Sequence, residues 1–148
     1  MAHDGIDLSQ LDRFTDRLIQ SSREAAKLQK KFLREQGSKL ARKTKAKARV
    51  DVQKTAVKRK EYTREAGKYH KGLKRGKVYF KDGGQQIRVY TGDPIGHLIE
   101  KGWTPKLRNG SKGEKQPGKE IVETAAAEFE EQFNAACEDA IGEMIRAI

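Results

Sequence analysis

The sequence predicts an α+β fold: a long N-terminal helix, a small antiparallel sheet built on a hairpin, and a C-terminal amphipathic helix packed on that sheet. Three observations predict it. Apolar residues recur at helical spacing near both ends of the chain, two β-branched and aromatic runs flank a Gly-Gly turn, and a Gly- and Lys-rich segment precedes the last helical pattern. The 148 residues suit one domain that spans 1–148.

The first element is a long amphipathic helix. Asp7 or Ser9 is suited to cap it, because their side-chain oxygens can accept from free backbone N–H groups. Apolar side chains then follow on one stripe at Leu11, Phe14, Leu18, Ala25, Leu28 and Phe32. After Gly37 a second, weaker helical stretch runs among lysines, and we expect it to break near Val50 and Val52, whose β-branched side chains disfavour helix.

Residues 1–70 are therefore expected to be helical and basic, and residues 71–103 to form the sheet. In the second region, Lys77–Phe80 and Gln86–Tyr90 have strand composition, and Asp-Gly-Gly between them predicts a tight hairpin. The stretch GHLIEKGW, Gly96–Trp103, fits either a third strand or a short helix.

Residues 104–116 are rich in Gly, Lys, Asn and Ser and are expected to form a long mobile loop. Residues 117–148 are expected to form the last helix, because Pro117 suits a first helical turn and glutamates follow it. Its predicted apolar stripe comprises Val122, Ala126, Phe129, Phe133, Cys137, Ala140, Met144 and Ile148.

Charge is divided unevenly along the chain. Residues 27–77 hold 20 Lys or Arg against 4 Asp or Glu, whereas residues 120–148 hold 8 acidic residues against one Arg. This asymmetry fits nucleic acid at the basic end, and it fits equally subunits that stack basic part against acidic part. Leu, Ile, Val and Phe make up just under a fifth of the chain, so the core should be thin and partners should stabilise part of the fold.

The sequence contains little that suggests chemistry. His97 and Glu100 lack further ligands at characteristic spacing, so a hydrogen-bonded structural histidine is favoured over a metal or catalytic site. Cys137 lies on the apolar stripe and is expected to be a small buried residue. We therefore predict no enzyme, no catalytic residue, no metal and no cofactor. No apolar run approaches the roughly 18 residues of a membrane span, and the N terminus lacks a signal-peptide pattern, which predicts a soluble protein made in the cytoplasm with no membrane partner.

Three segments carry a resemblance to a known family. Leu-Lys-Arg-Gly at 73–76 precedes the first strand, Gly-His-Leu-Ile-Glu-Lys-Gly fills 96–102, and Pro117 precedes the last helix. In this order they resemble the neck or tail-completion family of tailed phages (siphophages), named after the gene ten product of a lambdoid coliphage. The chain departs from the family pattern at residues 50–70, where members often carry a short extended piece and this chain has a charged stretch.

The resemblance implies a structural virion protein of the head–tail connector, or neck, made in the host cytoplasm. It would join or complete the tail as a subunit of a homo-oligomeric ring, beside other neck, head-completion and tail-tube proteins, with non-specific contact to DNA in the channel. A basic DNA-binding accessory protein is the alternative. Candidate subunit-contact or DNA-facing residues are Lys74, Arg75, Trp103, Lys106, Arg108, Lys112 and Lys115. Residues expected to be structural are His97, Glu100 and Gly102.

Overall fold

The structure is a computed structural model that describes residues 9–147, so the predicted Asp7 cap and Ile148 lie outside the described residues. Helix α1 spans Ser9–Asp51 without interruption. The expected second helix after Gly37 is therefore a continuation of the first. Gly37 is buried, and a Cβ there would lie 2.9 Å from Cδ1 of Ile87, so this glycine allows a close approach of the sheet and does not end the helix.

The helix ends near Val50 and Val52, as predicted. The residues beyond it correct the prediction that the whole of 1–70 is helical. Strands β1 (Val57–Arg59) and β2 (Tyr62–Arg64) form an antiparallel hairpin, and a short helix α2 (Lys68–Gly72) follows. The Lys-rich sequence has no apolar stripe that could hold a helix against the core, whereas the hairpin places Arg64 inward.

Four strands build the ribbon in the middle of the chain: β3 (Leu73–Arg75), β4 (Tyr79–Lys81), β5 (Gly84–Gln86) and β6 (Val89–Thr91). β4 pairs with β5, and β3 pairs with β6. Asp82 (φ 52°) and Gly83 (φ 79°) make the turn, as a two-residue hairpin with positive φ at both positions requires. The predicted hairpin is confirmed, but its second strand divides and its distal part pairs with β3.

The GHLIEKGW stretch is a short helix, α3 (Gly96–Lys101), that leads into β7 (Gly102–Trp103). β7 pairs with β8 (Gln116–Pro117). The intervening residues 104–116, expected as a loop, are hydrogen-bonded: Leu107 N–H donates to Ser111 O (2.8 Å) and Gly113 N–H to Pro105 O (2.7 Å). Together these residues form an antiparallel excursion, which we call the 102–117 hairpin.

Helix α4 spans Ile121–Ala147 and packs along α1 in the antiparallel sense. Phe133 lies against Phe32, with ring centroids 5.9 Å apart, and Glu128 faces Lys43 and Lys47 nearer the other end. The helix begins four residues later than expected. Pro117 belongs to a short edge strand, where its missing N–H is tolerated.

The core is small and lies where α1, α2, β3 and the start of α4 meet. Its buried cluster comprises Ala48, Val52, Tyr69, Leu73 and Ile121. Small side chains of α1, Ala41, Thr44 and Ala48, let the other elements approach. The buried hydroxyl of Thr44 donates to Leu40 O within the helix (2.8 Å). These elements confirm the predicted α+β class, and no described helix is long and apolar enough to span a membrane.

Candidate subunit interface

Glu100 joins three elements. The Tyr69 hydroxyl donates to its Oε1 (2.6 Å), and the backbone N–H of Val122 donates to the same oxygen (3.0 Å). The carboxylate therefore caps α4 from a neighbouring helix, where the first N–H groups lack partners within their own helix. Burial, with the hydrogen bond to Glu100, raises the pKa of Tyr69 far above its usual range, so the phenol remains a donor.

Gly102 lets the 102–117 hairpin approach α3. It has φ +81°, and a Cβ there would lie 2.6 Å from the Gly118 nitrogen. Lys119 N–H donates to Ile99 O (2.7 Å) directly beside this crossing. Any side chain at Gly102 would displace the backbone that leads into α4.

His97, expected to hydrogen-bond a neighbour, does not do so among the described residues. Its side chain is exposed at the rim of a shallow cleft beside Glu100. Within residues 9–147, no group of His, Cys, Asp and Glu side chains could hold a metal ion. His97 and Glu100 therefore have different roles. The histidine faces solvent, whereas the glutamate links α3 to α2 and to the start of α4, a region that we call the junction.

Arg64 and Asp93 form a buried ion pair that the sequence did not reveal. The two guanidinium nitrogens donate to the two carboxylate oxygens, and the Asp93 side chain is fully buried. Asp93 also accepts from the Ile95 N–H (3.3 Å) at the start of α3. The hydrogen bonds from Arg64 hold the pKa of Asp93 below its usual value. The pair fastens the β1–β2 hairpin to the segment that positions Glu100.

Cys137 is half-buried between α1 and α4 rather than fully buried, and burial raises the pKa of its thiol. A raised pKa keeps the thiol protonated at neutral pH, which is the opposite of what a nucleophile needs.

Two of the candidate contact residues lie on β3. The Lys74 side chain is exposed. Arg75 is also exposed, but its guanidinium donates to Arg34 O (3.1 Å) and to the Ser38 hydroxyl (3.0 Å) of α1. Arg75 thus fixes the ribbon to the helix within one subunit.

The other five candidates lie on the 102–117 hairpin. Lys106 and Lys112 face one another across it, an arrangement of like charges that destabilises a strand pair. Arg108 is at the exposed tip, and Trp103 is 48% exposed at the base. The hairpin therefore presents concentrated positive charge next to an accessible aromatic ring.

Two helices carry opposite charge on their outer faces. Exposed Arg42, Lys45 and Arg49 recur at i, i+3 and i+7 on α1, away from the side that packs on α4. We call them the basic face. On α4, exposed residues recur with similar spacing on the side away from α1; this acidic face comprises Ala127, Glu130, Glu131, Asn134, Ala135 and Glu138.

A comparison with known families gives a match to the family described as "Bacteriophage HK97-gp10, putative tail-component" over residues 12–102, more than half of the chain. The protein belongs to this family. It is a structural component of phage tails. No curated protein and no solved structure matched the chain.

The HK97-gp10-like match covers α1 through α3 and ends at Gly102. It includes the Arg64–Asp93 pair, the β3–β6 ribbon strands and the basic face. The 102–117 hairpin and the acidic face of α4 lie beyond it. The surfaces with the strongest opposite charge are therefore divided between the matched and unmatched parts of the chain.

Proposed function

We propose that the protein is a subunit of a homo-oligomeric ring in the head–tail connector, or neck, of a tailed phage, where it joins or completes the tail. Its membership of a tail-component family supports a structural role in the virion. It would contact other neck, head-completion and tail-tube proteins, and it would act without a catalytic site or cofactor.

The observation that carries the ring is the separation of charge onto opposite sides of one folded subunit. The basic face lies on α1 and the acidic face on α4, and the two point away from the contact between these helices. A surface that complements a different surface of an identical molecule gives head-to-tail contacts, which close into a ring when the rotation allows. Charge complementarity of this kind also selects the partner and its register.

The 102–117 hairpin supports a second contact, to a neighbouring neck or tail protein. Lys106 and Lys112 repel each other in the isolated subunit, and an acidic partner would relieve that repulsion. Trp103 at its base, with an accessible ring, suits an anchoring contact. Both features are consistent with a hairpin that gains stability when the subunit is assembled.

The decisive experiment is electron microscopy of a lysate of the parent phage with this gene interrupted. Filled heads accumulating beside separate tails would support the junction role, whereas normally joined particles would refute it. Complementation with variants then tests which surface makes the contact. Heads should join tails less often, while the purified variants still fold, after Trp103→Ala or after charge reversal at Lys106, Arg108, Lys112 and Lys115. Reversal at four exposed basic residues in and around β1, Lys54, Lys58, Arg59 and Lys60, provides a charge-matched control.

Binding to DNA in the channel is the second candidate, because the basic face could neutralise several phosphates. Affinity for duplex DNA should then fall steeply with salt, by about 0.9 in log K per log salt for each phosphate contacted. Triple replacement of Arg42, Lys45 and Arg49 by Gln should flatten that slope. A slope that is flat in the parent protein would exclude this role and leave the basic face to a protein partner.

A further inference from the structure

A groove of 590 Å³ lies between α1, β5 and α4. Its walls are mainly apolar and include Leu33, Leu40, Ile87, Val89, Phe129 and Phe133. A volume of this size lies within the range of natural ligand sites and is ample for a large side chain. The groove also shares Ala127 and Glu130 with the acidic face, so it continues the surface proposed above for a second copy.

Gln36 and Gln85 also line the groove. Gln36 is 5% exposed, and the Oε1 atoms of both glutamines are buried and have no hydrogen-bond partner among the described residues. Because these two oxygens are closed to solvent, the groove offers an occupant mainly apolar contacts.

The β4–β5 hairpin carries a group that matches the groove. Phe80 of β4, next to the turn, is 74% exposed, the greatest exposure of any described aromatic side chain. β4 pairs with β5 alone among the described strands, so its outer edge retains backbone N–H and C=O groups that no described strand satisfies. An exposed aromatic on an open strand edge is typical of an interaction site.

Charge on the two surfaces is also complementary. Lys77 and Lys81 flank the exposed aromatic positions of β4, and both are exposed. Glu130 stands at the groove, exposed and without an ion pair to any described residue. A hairpin entering the groove would bring lysine toward this carboxylate.

We propose that the β4–β5 hairpin of one subunit inserts Phe80 into the α1–β5–α4 groove of the next, with Lys81 beside Glu130. The inference rests on the proposed ring and names the contact that builds it. Phe80 lies opposite the groove residue Gln85 in its own chain but does not itself line that groove. In the proposed ring the contact is head-to-tail, so a pair of subunits joined by it retains one free tip and one free groove for further subunits.

Disulfide trapping between separate chains tests the contact directly. Cys137→Ser removes the native thiol, and Phe80→Cys in one chain is mixed with Ala126→Cys, a groove position, in a second chain of different size. The control is Ala66→Cys, at an exposed alanine before α2 that lies outside the groove and outside both charged faces. We expect about tenfold more heterodimer with Ala126→Cys than with the control, a ratio that corresponds to about 1.4 kcal/mol. Equal yields would overturn the proposal, because trapping captures even transient contacts.

A mixing experiment tests its direction. Phe80→Ala should remove the ring that inserts into the groove, and Ala126→Trp should fill the groove. Neither variant should therefore self-associate as strongly as the parent. Mixed together, they retain one intact tip and one intact groove and should form 1:1 dimers but no larger species in sedimentation velocity. Ala66→Trp, at an exposed alanine outside the groove and outside both charged faces, should behave as the parent does. Self-association of Phe80→Ala equal to that of the parent would overturn the proposal.

Charge exchange adds a gain-of-function readout. Lys81→Glu should weaken association, and Glu130→Lys in the same chain should restore it.

Failure of this inference can be distinguished from failure of the proposed function. Joined particles in the interrupted phage refute the neck role, whereas a ring that survives Phe80→Ala refutes the hairpin contact alone.

Discussion

The junction around Glu100 differs from the β4–β5 and 102–117 hairpins in two respects: whether polar groups have hydrogen-bond or ion-pair partners, and whether apolar side chains are buried. At the junction, Glu100 accepts from Tyr69 and Val122, Arg64 pairs with Asp93, and Leu73 is 1% exposed. On the hairpins, aromatic rings are exposed and like charges face each other. The difference indicates that the junction holds the fold together, whereas the hairpins leave aromatic rings and like charges uncompensated within the chain.

The end of the α1–α4 pair that lies far from the Glu100 junction resembles the hairpins, because it too exposes apolar side chains. Phe14, Leu18 and Ile19 of α1 are 47–58% exposed, and Ile141 and Ile145 of α4 are 56% and 65% exposed. The helices are thus covered near the junction and progressively uncovered away from it. Stability should depend strongly on the junction and weakly on everything else, and four substitutions test this.

Asp93→Ala should have the largest effect. It leaves the Arg64 guanidinium buried without its partner, which costs about 3–5 kcal/mol in the free energy of unfolding. Urea denaturation measures the loss. Asp51→Ala removes a more exposed carboxylate that pairs with Lys47 and should cost about 1 kcal/mol or less. Equal losses would show that the buried pair has no special role.

The pH dependence sharpens this test. The pKa of Asp93 is lowered in the folded protein, so its contribution is present above the unfolded value of about 4 and is lost as the pH falls through the lower folded value. The free energy of unfolding of the parent should fall more steeply below about pH 4 than that of Asp93→Asn. Parallel curves for the two proteins would contradict the assignment.

Leu73→Ala should follow, with a loss of about 3 kcal/mol, because it leaves a cavity in a thin core. Leu107→Ala, at a side chain 48% exposed on the 102–117 hairpin, should change stability by about 0.5 kcal/mol or less. The same urea titration measures both. Similar losses at the two leucines would remove the distinction between junction and hairpin.

Glu100→Gln should cost about 1 kcal/mol, since it keeps the shape of the side chain and removes the charge that caps α4. Glu123→Gln is the control, because Glu123 is in the first turn of α4 but is exposed and pairs with exposed Lys101. Circular dichroism at 222 nm during thermal unfolding should distinguish them. A larger effect at Glu123 would mean that helix charge, and not the cross-element hydrogen bond, stabilises α4.

Lys112→Glu should have the smallest effect on folding and the opposite sign. It replaces a repulsion across the hairpin by an attraction to Lys106, which stabilises the subunit by about 0.2–1 kcal/mol. The same variant should impair the joining of heads and tails in complementation. Lys58→Glu provides an exposed charge change outside the hairpin. A Lys112→Glu variant that joins normally would argue that the hairpin charge serves no partner.

Parts of this architecture could be predicted because their signals are local. The Asp82–Gly83 turn requires positive φ at two residues, so the sequence alone indicated the hairpin. The apolar stripe of α4 predicted its helix and its packed side. The helix boundary at Pro117 was wrong, because the capping group, Glu100, comes from another element.

Other parts depended on residues distant in sequence. Gly37 would usually weaken a helix, yet α1 continues through it because Ile87 packs closely there. Arg64 and Asp93 are 29 residues apart, and nothing in the local pattern of either predicts the other. The same holds for the groove, which needs α1, β5 and α4 to form.

The fold class, the turn, the family resemblance and the division of charge along the chain could all be read from the residues in order, since each depends on composition or on spacing within a few residues. Which charges are buried, that His97 faces solvent while Glu100 caps α4, and that Phe80 projects from the surface became clear only in the folded chain. Burial and long-range hydrogen bonds arise when distant segments pack together, and the free energy of that packing is not encoded in any single stretch of residues.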